Sequence, residues 1–551
     1  MLASKASKSC RAIRRQAFVF LKGLSKLEDR IRGTSKKMSK KLYLAIFAFT
    51  FIAAETAQAG FDLSQQKAVQ VDQVNTAIKA YGAGWVAKDN WVSQLTTAQV
   101  KRMLGLRTPP DVNLMFKAGK SKISKNTSTT AVFDWRSVNG VNWVTPVHNQ
   151  GYCGSCVAFA TAGTLETQMN ISSKFPDWMP AVSTQALFAC GGGSCDMGWD
   201  PDEATDFLSS QGVPDYACLP YTSGATGNDV QCSAACADIA SRSIKTVPST
   251  SKIHALGSVD SVKAALAHGP LETTLTVYAD FLSYSSGVYK HVTGAALGGH
   301  AVSIIGYDDN QQAWIVRNSW GPDWGNAGFI LVSYNDTSGV AQDVWSFDIP
   351  TEAGYISFQT PTSEQVLTGT ANLQIASTVD ASSTLNYTIL NSAGKAVVQN
   401  SLHGMPQSIS LDTTKLADGQ YEIFASAVTP ANATVNSLHV QFYVLNSQPT
   451  GSLSFSPQGF DITKPLTDMV VFTVTAPSSP VPYGELILHM QQNGKDVLIK
   501  TIDTVMSDMS FDWRTQTVPN GQYDIFMTAT ISAGEYSLTS ESSHATVTVT
   551  N

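Results

Sequence analysis

The chain has 551 residues, 43% hydrophobic and 15% charged, with a formal net charge of −6. It is too long for one compact core, so three or four domains are expected. The composition is ordinary for a soluble protein, and the acidic balance gives no electrostatic case for a nucleic-acid partner.

Residues 1–37 depart from that average, being rich in Lys and Arg with only Glu28 and Asp29 opposing them. Ser35 to Lys41 then supplies a positive stretch, and Leu42 to Ala54 a thirteen-residue apolar run. Ala57-Gln58-Ala59 offers a small-x-small cleavage site. The pattern reads as an export signal over 38–59 that starts at Met38, with 1–37 as an upstream segment. A cytoplasmic leader and a membrane anchor are the alternatives, although the apolar run is short for a permanent span. The bulk of the chain is expected to be secreted, where disulfides persist.

Residues 60–130 are polar and helix-prone. In LTTAQVKRMLGL, Val100, Met103 and Leu104 recur at helical spacing, with Thr96 or Thr97 available as the cap. The linker from Lys117 to Thr130 has no apolar periodicity and reads as exposed and protease-sensitive.

Seven of the eight cysteines fall between Cys153 and Cys236, an odd number that invites one reactive thiol. Within NQGYCGSCVAFA, Cys156 opens a stretch to Asn170 that reads as a helix, with Gly154-Ser155 as a turn and a capping hydroxyl. A helix N-terminus favours the thiolate, the nucleophilic form of cysteine. Two structural cysteines or a redox CxxC pair are the bland readings. His300 leads the apolar run AVSIIGY, expected as a buried strand, 144 residues beyond Cys156. Asn318 lies eighteen residues further on, and its amide oxygen could hold the imidazole tautomer. A core histidine and a turn-capping asparagine are the corresponding bland readings. No HExxH and no second CxxC at zinc spacing occur, so no metal or cofactor is expected. His148 reads as a surface residue, and Asp308-Asp309-Asn310 as a hairpin turn.

Beyond residue 350 the texture is all-β, with short alternating runs and an internal repeat. DGQYEIFASA (Asp418 to Ala427) recurs as NGQYDIFMTA (Asn520 to Ala529), 102 residues later. Two tandem β-sandwiches are expected, over 351–445 and 446–551. Their DGxY pattern resembles bacterial immunoglobulin-like modules.

FDWR (Phe133 to Arg136), NQGYCGSC, GGHAVSIIGY and RNSWGPDWGNAGF together resemble the papain family of cysteine peptidases, in its order and spacing, over about 131–350. The resemblance implies an α+β, two-lobe catalytic domain with Cys156 as nucleophile, His300 as general base and then acid, and Asn318 orienting His300. It also implies an oxyanion hole from the Gln150 side chain and the Cys156 backbone N–H, Trp320 shielding the His–Asn pair, and Gly198 offering backbone bonds to substrate. Trp199 would line an apolar pocket for the residue two before the scissile bond. Val157 departs from the family's Trp or Tyr at that position, which suggests a looser wall behind the thiol.

With Cys156 free, six cysteines allow fifteen pairings. Similarity to the dipeptidyl peptidase I branch favours Cys153–Cys195, Cys190–Cys232 and Cys218–Cys236. AIKAYGAGW and VKRMLGL resemble the short propeptide of cathepsin B-like enzymes, which implies a zymogen with residues 60–130 lying across the cleft. The Cys218–Cys236 stretch has no His, unlike the cathepsin B occluding loop, so an endopeptidase is expected. The expected partners are peptide or protein substrates, the chain's own propeptide and a surface or glycan ligand for the sandwiches, with the chain a monomer. A non-catalytic secreted binding protein and an acyl transferase are the competing functions.

Overall fold

The computed structural model describes residues 67–107, 130–246, 252–253, 258–349, 354–457, 461–467, 469–481, 483–505, 509–515, 518–533 and 536–550. The expected leader, export signal and all but the last residue of the Lys117–Thr130 linker lie outside them.

Helix α1 (Val71–Tyr81) stops where Gly82 turns left-handed at φ 63° and its N–H returns to the Ile78 and Lys79 carbonyls. Strand β1 (Trp85–Ala87) and helix α2 (Thr97–Met103) follow. A capping box starts α2: the Thr96 hydroxyl accepts the Gln99 N–H, and the Gln99 side chain accepts the Thr96 N–H. Val74, Ile78, Trp85, Val100 and Met103 are buried in one cluster with Leu282, Tyr284, Tyr289, Trp320 and Trp324. Residues 71–103 therefore complete the core of a later lobe instead of forming their own.

That lobe is a sheet built on β2 (Val132–Asp134), β3 (Leu271–Tyr278), β4 (Tyr284–Tyr289), β5 (Ala296–Asp308), β6 (Ala313–Arg317) and β7 (Phe329–Ser333). Its order is β1-β4-β7-β6-β5-β3, continued by the short strands Val344–Trp345 and Lys252–Ile253, with β2 on β5. Strands β5 and β6 form a hairpin whose turn is pinned by Asp308, which accepts the N–H groups of Asn310 and Gln311.

The second lobe is helical: α3 (Cys156–Ser173), α4 (Thr184–Gly191) and α5 (Pro201–Ser210). Every residue of α3 from Cys156 to Asn170 is buried, because α4 and α5 cover one side and β3 and β5 the other. Three disulfides, Cys153–Cys195, Cys190–Cys232 and Cys218–Cys236, staple this lobe, and Cys156 is free.

The remaining chain forms two β-sandwiches, each with a three-stranded sheet facing a larger one. In the first, β8 (Gly419–Val428) lies between β9 (Val440–Val444) and Thr384–Asn391. In the second, β10 (Gly521–Ala533) holds the matching place beside β11 (Ala545–Val549). The repeated tyrosine explains the repeated sequence. Tyr421 Oη donates to the Ala417 carbonyl at 2.8 Å, and Tyr523 Oη to the Pro519 carbonyl at 2.6 Å. Each bond fixes the turn into its central strand, as in a tyrosine corner.

Candidate active site

The site lies where the N-terminus of α3 meets β5 and the end of β6. The backbone N–H groups of Ala301, Gly105 and Val157 lie around the Cys156 sulfur and favour its thiolate electrostatically. Cys156 and Ala301 share one buried cluster, which sets the sulfur beside the strand that carries His300. Burial pushes the Cys156 thiol up to about 11, against the lowering effect of those N–H groups. Ser155 stands at the N-cap, but its hydroxyl makes no capping bond and instead meets Tyr221 Oη at 2.6 Å. The expected capping hydroxyl is thus corrected, because a tyrosine 66 residues away competes for it.

His300 is fully buried, and its Nε2 lies 2.8 Å from Asn318 Oδ1. The same oxygen accepts the Ser319 N–H at 2.8 Å, which fixes the amide with its oxygen toward the ring. Nε2 therefore carries the proton and Nδ1 keeps its lone pair, buried and without a hydrogen-bond partner. Burial lowers the imidazole to about 4, so both thiol and imidazole are neutral in this state. Trp320 covers the imidazole, with ring centroids 4.9 Å apart.

Gln150 is also fully buried. Its Oε1 accepts the Ser319 hydroxyl at 2.7 Å, which turns Nε2 toward two carbonyls, Met103 at 2.8 Å and Cys153 at 2.9 Å. Gly198 adopts φ 69°, and a Cβ there would come within 1.9 Å of the Gly105 carbonyl oxygen. Trp199 turns its ring into the helical lobe against Gly191 and Phe188, while its N–H reaches the Gly105 carbonyl at 2.8 Å. Among the described residues, no group of three or more His, Cys, Asp or Glu is placed to hold a metal.

The structure thus brings Cys156, His300, Asn318, Gln150, Trp320, Gly198 and the Trp199 backbone to one place, while His148 is exposed. Residues 103–107 close it over. Leu106 donates its N–H to the Gly299 carbonyl at 3.2 Å, and Arg107 donates to the Trp199 carbonyl at 3.0 Å. Arg102 and Arg107 anchor the two ends on Asp196 and Glu203, at 3.1 Å and 2.9 Å. Leu104 packs on Gly298, and Leu106 enters the apolar cluster that holds Cys156 and Trp199.

Sequence reading missed the atoms of this contact, although a glycine between two leucines and two arginines was its signal. It also missed Glu272, a buried carboxyl on β3 that accepts the Thr161 hydroxyl of α3 at 2.8 Å. Burial drives Glu272 well above the usual carboxylate range, and its negative charge opposes ionisation of the Cys156 thiol.

Residues 129–347 match the family model described as Papain family cysteine protease. The chain is similar to Cathepsin B-like CP3 of Giardia intestinalis, 37% identical over 207 residues, covering 36% of this chain and 68% of that protein. It is 30% identical over 333 residues to Cathepsin B-like cysteine proteinase 3 of Caenorhabditis elegans, covering 54% of this chain and 86% of that one. Among solved structures it is similar to proCathepsin B S9 from Trypanosoma congolense, with a TM-score of 0.44 and 23% identity, covering 52% of this chain and 100% of that one.

Proposed function

We propose that this chain, which belongs to the papain family of cysteine proteases and is thereby a thiol hydrolase acting on peptides, is a secreted endopeptidase made as a zymogen. Cys156 is the nucleophile, His300 the general base and acid, and Asn318 the residue that positions His300. The observation that carries this reading is the fixed tautomer of His300, whose unpartnered Nδ1 can accept a proton from the thiol.

In the uncovered enzyme the Cys156 sulfur attacks the scissile carbonyl carbon as its proton passes to His300 Nδ1. Negative charge gathers on the carbonyl oxygen, where Gln150 Nε2 and the Cys156 N–H donate to it. His300 then protonates the leaving amine, and a thioester remains on the sulfur. Water, deprotonated by the same imidazole, hydrolyses that thioester and restores the thiol.

The covering segment supports the zymogen reading atom by atom. The Met103 carbonyl takes the donor of Gln150 that would serve the oxyanion. The Gly105 N–H lies by the sulfur, where a substrate would present an electrophilic carbon. Burial keeps both reacting groups neutral while the segment is in place. Three disulfides in one lobe support an oxidising destination.

Replacing Cys156 with Ala tests the assignment. Peptide hydrolysis by the processed protein and labelling by a thiol-directed epoxide should both vanish, with the fold retained. Full hydrolysis by Cys156→Ala would end the reading.

A further inference from the structure

The repeat places the same side chains at the same points of both sandwiches. Ser437 Oγ accepts the Ala425 N–H and Ser542 Oγ accepts the Met527 N–H, both at 2.8 Å, which aligns the residues that follow each serine. By that alignment Glu422 matches Asp524, Phe424 matches Phe526, and His439 matches His544. In each sandwich the imidazole lies flat on the phenylalanine, with centroids 4.1 Å apart in the first and 4.2 Å in the second. In each, imidazole Nδ1 meets the carboxylate: His439 on Glu422, and His544 on Asp524 at 2.6 Å.

The two copies differ in what covers them. In the first, Arg242 of the helical lobe reaches across and donates Nη1 to Glu422 at 3.0 Å. The rest of that guanidinium is held by Asp215, and Arg242 is only 7% exposed. His439 and Glu422 are correspondingly covered, at 15% and 21% exposure. In the second, His544 and Asp524 are 45% and 41% exposed. Glu541 adds a carboxylate 3.4 Å from His544 Nε2, and none of the ion pairs among the described residues brings a Lys or Arg to Asp524 or Glu541.

We propose that the second sandwich is a docking site for an arginine side chain on a partner protein, with Asp524, Glu541 and His544 over Phe526 forming the open counterpart of the seat that Arg242 fills in the first. Arginine fits better than lysine. Its planar fork can bond two carboxylates at once and lie along an imidazole face, whereas an ammonium offers a point charge. A metal ion is the poorer occupant, since these groups are not arranged as a ligand set. The contact is of the kind that sets orientation and partner choice at the rim of a larger interface.

The test uses the full chain carrying Cys156→Ala, with tetra-arginine and tetra-lysine peptides as fluorescent probes at neutral pH. Tetra-arginine should bind at least fivefold tighter than tetra-lysine. Asp524→Asn with Glu541→Gln should weaken tetra-arginine at least tenfold, whereas Asp461→Asn, a distant exposed carboxylate of the same sandwich, should change it less than twofold. If the double variant melts early, the exposed Glu541→Gln alone carries the test, with at least a threefold loss expected. Equal binding of the two probes, or equal effects of site and control variants, would overturn the proposal. Self-association of the unliganded chain, abolished by the same variants, would overturn the foreign partner in favour of a second copy.

Discussion

Gly105 is the point at which the covering segment lies against the backbone of the turn before the thiol, and alanine there should uncover it. A Cβ on Gly105 would lie 1.7 Å from the Gly154 carbonyl oxygen and 2.6 Å from the Gly154 Cα. Both are backbone atoms in the turn that opens α3, so no side chain can move aside. The segment has to lift, losing the bond from Trp199 N–H to the Gly105 carbonyl and those from Leu106 and Arg107. At about 1 kcal/mol net for each of the three, the covered state should lose about 3 kcal/mol. That raises the uncovered fraction about 100-fold. The assay is the alkylation rate of Cys156 in the unprocessed protein, read by intact mass so that cleaved chains are not counted. Labelling of Gly105→Ala should be about 100-fold faster than wild type, and kcat/KM of the processed enzymes should be equal, because the glycine leaves with the segment. A rise below threefold would refute the idea that this backbone approach holds the cleft shut. A fall in kcat/KM of the processed variant would show that Gly105 belongs to the enzyme and not to its cover.

Asn318→Ala should lower kcat about 100-fold with little change in KM, the low end of what general base catalysis supplies, because His300 would lose its fixed tautomer. Gln150→Ala should cost about 10² to 10³ in kcat as an oxyanion donor is lost, measured on processed enzyme. Acid should loosen the cover: burial holds His300 at about 4 against 6.5 when exposed, so the covered state is fully favoured above pH 6.5 and loses about 3 kcal/mol as pH falls toward 4. Amide exchange over 97–107, corrected for its intrinsic pH dependence, should accelerate about 100-fold across that range. Arg242→Leu should destabilise the helical lobe by about 3 to 5 kcal/mol in urea melts, since it strands the buried Asp215, and adding Asp215→Leu should recover most of the loss.

The residues proposed to carry the chemistry stood out because each sits in a local context that has few other uses. Cys156 follows a tight Gly-Ser turn and leads a run without proline, and His300 is a polar residue just before a β-branched apolar run. The repeated GQY was legible because one tyrosine corner serves each sandwich, so one local rule was written twice. What could not be read was the choice among distant partners. Nothing near Ser155 reveals that Tyr221 will take its hydroxyl. Likewise nothing in the polar stretch around Arg242 points to Glu422, 180 residues away. The face that Trp199 presents was equally hidden, because Gly191 and Phe188 receive its ring only once α4 is in place.

Those non-local bonds also explain how the β modules and the cleft share one support. Asp215 grips Arg242, through which Glu422 of the first sandwich is held, and Tyr216 Oη donates to Glu364 of the same sandwich at 2.7 Å. Five residues beyond Tyr216, Tyr221 Oη donates to the Gln150 carbonyl at 2.9 Å and meets the Ser155 hydroxyl, next to Cys156. The Cys218–Cys236 disulfide lies between these two sets of contacts and limits how far the loop can yield. A sandwich docked on one end of this loop and Gln150, the proposed oxyanion donor, braced by the other are therefore mounted on the same short, cross-linked length of chain. Rigidity at the first sandwich contact and precision at Gln150 have a common physical origin in residues 215–221.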